Sequence, residues 1–177
     1  MVGTTRRTGA LAGIVVVLVV LLLSHRFGRA EPTADYRPDL PPDALATGCY
    51  PLPGGASLDL AYQVRRDGDV VVDGELRRVL VGQYDEVDDA AALETIVEDF
   101  TDVGYVASDR PAPYDAVLRQ PGAGPAEEVR LTVEQLPGLE EDTLVRGTFE
   151  LDLPVAELAS DAEVCADPRS TKRWDDE

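Results

Sequence analysis

One run in this chain fits no small soluble domain. Ala10 to Leu23 is fourteen residues without a polar side chain, set almost at the amino terminus between Arg6-Arg7 and Arg26. A helix that is apolar on every side needs apolar surroundings on every side, and at the extreme end of a chain it has nothing of its own to pack against. The uncharged window from Thr8 to Ser24 is seventeen residues, roughly 25 Å as a helix and slightly short of a hydrocarbon core of about 30 Å. Snorkelling of Arg26 and local thinning of the bilayer close that gap. A secretory signal has the same outline, but its peptidase needs small residues in a neutral stretch. Gly28-Arg29-Ala30 is flanked by Arg26 and followed by Pro32, and Pro32-Thr33-Ala34 opens on proline.

The sequence therefore predicts a cytoplasmic start over 1–7 and a transmembrane signal-anchor over 8–25, with the rest outside the cytoplasm. The chain would be a single-pass protein of the cell membrane, or a secreted one if the segment is cleaved, and its first partner is the lipid bilayer. Lys and Arg nearly tie across the span, so orientation rests on the layout of one leading apolar segment followed by one long domain. Gly9 stands where a twin-arginine signal wants an aromatic, which points to general export.

All 34 Asp and Glu lie beyond Ala30 with twelve of the Lys and Arg, a net charge of −22 on the exported part. Such a body repels phosphate backbones and excludes nucleic acid as a partner. Arg65-Arg66 and Arg77-Arg78 are local exceptions that read as solvated strand positions. Cys49 and Cys165 both fall on the exported side. In an oxidising compartment an even count of two reads as one disulfide. Closing a loop of about 116 residues stabilises by roughly 4–5 kcal/mol in the chain-entropy view. Neither "TGCYPLP" nor "AEVCADP" offers a cation to activate a thiol.

Composition and period divide the exported part. Residues 26–48 are mostly polar and proline-rich, an extended tether, and 166–177 form a flexible acidic tail. Between them, 49–165 is long enough for one domain. Leu58, Leu60, Tyr62 and Val64 alternate with polar residues, the mark of a half-buried strand. Asp67-Gly68 and Asp73-Gly74 are hairpin-turn signals, and Leu76 to Tyr84 is a returning strand. Leu93, Ile96, Val97, Phe100 and Val103 form an apolar helical stripe, with Asp88 or Asp89 to cap its start and Gly104 to end it. Short strands follow at Tyr105–Ala107 and from Tyr114, then at Val129–Val133 and Val145–Leu153, and a helical turn is expected in Val155–Val164. The expected domain is two-layer α+β, one helix on a mainly antiparallel sheet in a ββαβββ-like order, with charged outward positions on a solvated second face.

Catalytic equipment is scarce. The one histidine, His25, sits beside the apolar run, which removes Ser-His and Cys-His pairs and histidine metal sites from the domain. No nucleophile elbow, P-loop or dinucleotide fingerprint is present. "DGDVVVDGE", Asp67 to Glu75, misses EF-hand spacing because Val71 falls on a ligand position. "YDEVDD", Tyr84 to Asp89, reads as a helix cap with solvated acids. One stretch, "RRVLVGQYDEVDDAAALETIVEDFTDVGYVAS" from Arg77 to Ser108, resembles the first strand–helix–strand unit of SPOR domains. That resemblance implies peptidoglycan as a ligand. It spans only these residues, and a SPOR domain repeats the unit where only strands follow Ser108 here, so no binding residues are carried over. Catalytic, cofactor-binding and metal residues are therefore expected to be none. The expected role is non-enzymatic: a membrane-anchored extracytoplasmic module that contacts another envelope protein. The alternative is a module binding a small ligand, calcium or cell-wall glycan.

Overall fold

The computed structural model describes residues 17–20, 42–72, 74–108, 113–139 and 143–173. The chain divides into two compact units, Met1–Arg37 and Pro38–Glu177. In the first, residues 17–20 are helical; the remainder of the expected anchor, 8–25, lies outside the described residues. Among the described residues no helix is long and apolar enough to cross a membrane.

The second unit is a small α+β fold. Its strands are β1 (Tyr62–Val72), β2 (Glu75–Asp85), β3 (Val106–Ala107), β4 (Ala116–Arg119), β5 (Val129–Gln135) and β6 (Val145–Leu153), with helix α1 (Asp89–Asp102) between β2 and β3. They form one six-stranded sheet in the order β1-β2-β6-β5-β4-β3, and every neighbouring pair is antiparallel. Four strands follow the helix, one for each of the four segments read from the sequence and one more than the ββαβββ-like order counts; Val106–Ala107 pairs with the end of β4 as a strand of its own. The strands flanking α1, β2 and β3, are separated by three others, which sets this sheet apart from a pair of adjacent βαβ strands.

The helix forms where its stripe and caps agree. The Asp88 carboxylate accepts the Ala91 N–H at 2.8 Å, satisfying one of the free amides of the first turn. Gly104 ends the helix at a positive φ of 92°, the left-handed position that follows many helix ends. Ala92, Ile96 and Phe100 are buried on the sheet, with Leu93, Val97 and Val103 packed around them. The pleat supplies the facing surface: Leu80 and Tyr84 on β2, Phe149, Leu151 and Leu153 on β6, Val129 and Leu131 on β5, and Leu118 on β4. Leu52 and Ala56, with the partly buried Leu45, Leu58 and Leu60, complete this layer from the segment before β1. Ala44 is buried as well, so packing begins inside the stretch expected to be a tether.

Two expectations about turns are corrected. Asp67-Gly68 is not a hairpin turn but lies mid-strand in β1, opposite Leu80 and Val79. A type I′ turn needs positive φ at both central residues, whereas Asp67 is held extended by a buried ion pair. The hairpin turns between Val72 and Glu75, which pair across the strands, and Gly74 has a φ of 85°. Residues 155–162 are irregular, and the expected helical turn comes later, as a 3-10 turn at Glu163–Ala166.

Two glycines let aromatic rings lie across neighbouring strands. Gly82 faces Phe149, and Gly147 faces Tyr84 in the β2–β6 register. A β-carbon on Gly147 would overlap the Tyr84 hydroxyl and the Glu134 carbonyl. Tyr84 is fully buried, so its ring has little room to yield. Gly147→Ala is expected to cost about 1–3 kcal/mol, the usual range for overpacking. A lower urea midpoint at unchanged m-value checks this; an unchanged midpoint would show that the sheet absorbs the methyl group.

Candidate functional site

Arg77 and Arg78, expected on a solvated face, are 1 % and 0 % exposed. As neighbours on one strand they point to opposite sides of the sheet, and each organises a separate polar cluster.

On the face away from α1, Arg77 donates from Nε to Asp152 Oδ1 at 2.6 Å. Its other nitrogens reach the carbonyls of Ala126 and Glu128, both at 2.6 Å, and of Asp152 at 3.1 Å. Arg130 on β5 donates to the second Asp152 oxygen at 2.9 Å and lies over the Tyr114 ring. Burial pulls the Arg130 pKa down, but the bond and attraction to Asp152 outweigh it and leave the guanidinium above its ordinary value. One buried carboxylate thus serves two cations, and the turn at 125–128 is fastened over the sheet by its own carbonyls.

On the helix side, Arg78 grips Asp67 with two parallel bonds, Nε to Oδ1 at 2.8 Å and Nη2 to Oδ2 at 2.7 Å. It also donates to the carbonyls of Pro51 and Tyr50, each at 2.8 Å. This planar fork is geometry that arginine offers and lysine does not. Arg173 closes the cluster from the other end of the chain. It bonds Asp67 at 3.0 Å and Asp69 at 2.5 Å, and its guanidinium lies 4.1 Å above the Tyr50 ring. Opposing burial, the bond to Asp69 and the field of both carboxylates raise the Arg173 pKa.

The disulfide stands beside this cluster. Cys49 and Cys165 are bonded across 116 positions, with Cα atoms 5.4 Å apart. Tyr50 follows the first cysteine directly, and Asp167–Arg173 follows the second closely. Residues 166–173, expected to fray, instead make a helical turn at Pro168–Thr171 with Ser170 and Thr171 buried. The Asp67 N–H donates to the Lys172 carbonyl at 3.1 Å. Asp167 caps that turn; the Arg169 N–H and the Ser170 hydroxyl hold its carboxyl below the usual range. Trp174 and the last three residues lie outside the described residues.

Three carboxylates of the two acidic stretches have partners in the domain. Asp67 and Asp69 sit in the arginine cluster and Asp88 caps α1. Among the described residues no three His, Cys, Asp or Glu side chains converge as metal ligands. Clefts are present among the described residues. One of about 300 Å³ runs beside Leu45, Leu52, Leu58 and Tyr62. Another, about 260 Å³, lies on the open sheet face between Val81, Thr132, Glu134, Thr148 and Glu150. Burial first, then Asp43, pushes the Tyr62 phenol up to about 12, which keeps it neutral and unable to act as a base near neutral pH.

Arg65 and Arg66 are exposed as expected; Arg65 bonds the Gln83 side chain across the strands. The burial of Arg78 had a readable signal, since it falls in phase with Leu80 and Tyr84. For Arg77 no local signal exists, because its partners lie about 50 and 75 positions away. Family models, curated proteins and solved structures were all compared with this chain, and none matches.

Removing the shared acceptor should expose what the first cluster carries. Asp152→Ala leaves Arg77 buried without its counter-charge, and loss of a buried partner typically costs about 3–5 kcal/mol. Chemical denaturation should show that loss, whereas Glu150→Ala, on the exposed position two residues away, should shift stability by less than about 0.5 kcal/mol. Equal effects would mean that Asp152 is no more than a surface acid.

Proposed function

We propose that this chain is a non-enzymatic, membrane-anchored module outside the cytoplasm whose domain contacts another envelope protein. The observation that carries the reading is the Cys49–Cys165 bridge, because structural disulfides belong to oxidising compartments. The apolar run Ala10–Leu23 is the proposed means of export and attachment. The buried charges support the non-enzymatic part. Asp67, Asp152, Arg77 and Arg78 hold one another and main-chain carbonyls, so they are spent on architecture instead of being aimed into a cleft.

Crosslinking of the full-length chain in its native cells tests this. One specific envelope protein should be recovered, and the purified domain should turn over no substrate. Turnover by the purified domain with no specific partner in the cell would overturn the reading. Calorimetric titration with calcium and co-sedimentation with cell wall separate it from a cation- or glycan-binding role.

A further inference from the structure

β1 is an outer strand of the sheet, and its outward side is filled at one rung only among the described residues. There Asp67 pairs with Arg173 as an isolated parallel bridge, through the Asp67 N–H and the Lys172 carbonyl. Backbone polar groups alternate sides along a strand, so the amides and carbonyls of Asp69 and Val71 also point outward. No described strand pairs with them. The sequence there, Asp69-Val70-Val71-Val72, has neither the proline nor the lysine that commonly blunts an edge. Val71 is 71 % exposed, and its cross-strand partner Leu76 is 58 % exposed. An unpaired edge bearing an exposed apolar pair is a template for another extended segment.

We propose that the outer edge of β1 from Asp69 to Val72 is the surface that binds the envelope partner, by taking an extended, basic and apolar segment of that protein as an added strand. Charge selects this occupant. The exposed Glu75 borders the Val71–Leu76 pair, on an exported part of net charge −22, while Asp69 is already paired with Arg173. A second copy would set the same acids against themselves. A segment carrying Lys or Arg beside an apolar residue meets both features, and Arg173 on Asp69 already shows the edge accepting a cation. The proposal rests on the interaction reading above and assigns it a place.

The test places a photo-crosslinking residue at Leu76 of the full-length chain in its native cells, with the same residue at Val106 and at Leu158 as exposed controls. One adduct with a separate protein is expected from Leu76. It should fall roughly tenfold in Val71→Pro, which removes an outward N–H that β2 does not use. It should also fall in Glu75→Lys, an exposed change that leaves the fold intact, and persist in Val71→Thr. Three results would overturn the proposal: adducts unaffected by Val71→Pro and Glu75→Lys, an adduct to a second copy, or an adduct to residues 174–177 of the chain itself. Adducts from Val106 or Leu158 alone would overturn it while leaving the interaction reading in place. No adduct from any position would remove both.

Discussion

Two adjacent guanidinium groups, Arg77 and Arg78, are buried on opposite faces of one strand, and the surrounding chain is arranged to satisfy them. A buried cation without partners costs several kcal/mol, so the fold is acceptable only if carboxylates and carbonyls converge on both sides of β2. Those partners come from distant sequence: Tyr50 and Pro51 before the sheet, Ala126 and Glu128 in a turn, Asp152 on β6, and Arg173 at the far end completing the Asp67 cluster. Hydrophobic burial drives the collapse. The arginines select one register from among the collapsed arrangements, since a slip of one residue along β2 would exchange the two clusters' faces and strand every bond.

The disulfide and the second cluster act together. Cys49 precedes the carbonyls that cap Arg78, and Cys165 leads within a few residues to the turn that delivers Arg173. Both ends of the domain are therefore held to each other by a covalent bond, and to β1 by ion pairs beside one tyrosine ring. This arrangement also explains why β1 is covered at Asp67: among the described residues the chain reaches that edge at a single rung.

Much of the fold was legible locally. The stripe from Leu93 to Val103, the Asp88 cap and the terminating Gly104 are short-range features, and the helix formed where they placed it. The alternation in Val129–Val133 and Val145–Leu153 marked β5 and β6 for the same reason. Misreadings arose where a distant partner decides a local outcome. Asp67-Gly68 carries turn chemistry, yet Arg78 eleven residues on holds Asp67 extended. The residues after Cys165 look like a polar tail, yet Arg173 finds Asp67 and Asp69 more than a hundred positions back. Composition reports such arginines as surface charge because it carries no record of which carboxylates will be brought to them. The edge of β1 was equally hidden, since exposure of Val71 follows from strand order and not from its neighbours in sequence.

A thermodynamic cycle between Arg78→Met and Asp67→Asn tests the central dependence most directly, read from urea unfolding of the two single variants and the double with the disulfide intact. If the buried pair organises the domain, the two changes are strongly non-additive, with a coupling of about 2–3 kcal/mol at the upper end of the range for contacting groups. Additive losses, with coupling indistinguishable from zero, would mean that Arg78 and Asp67 act independently and that the domain is held by its apolar core and disulfide alone.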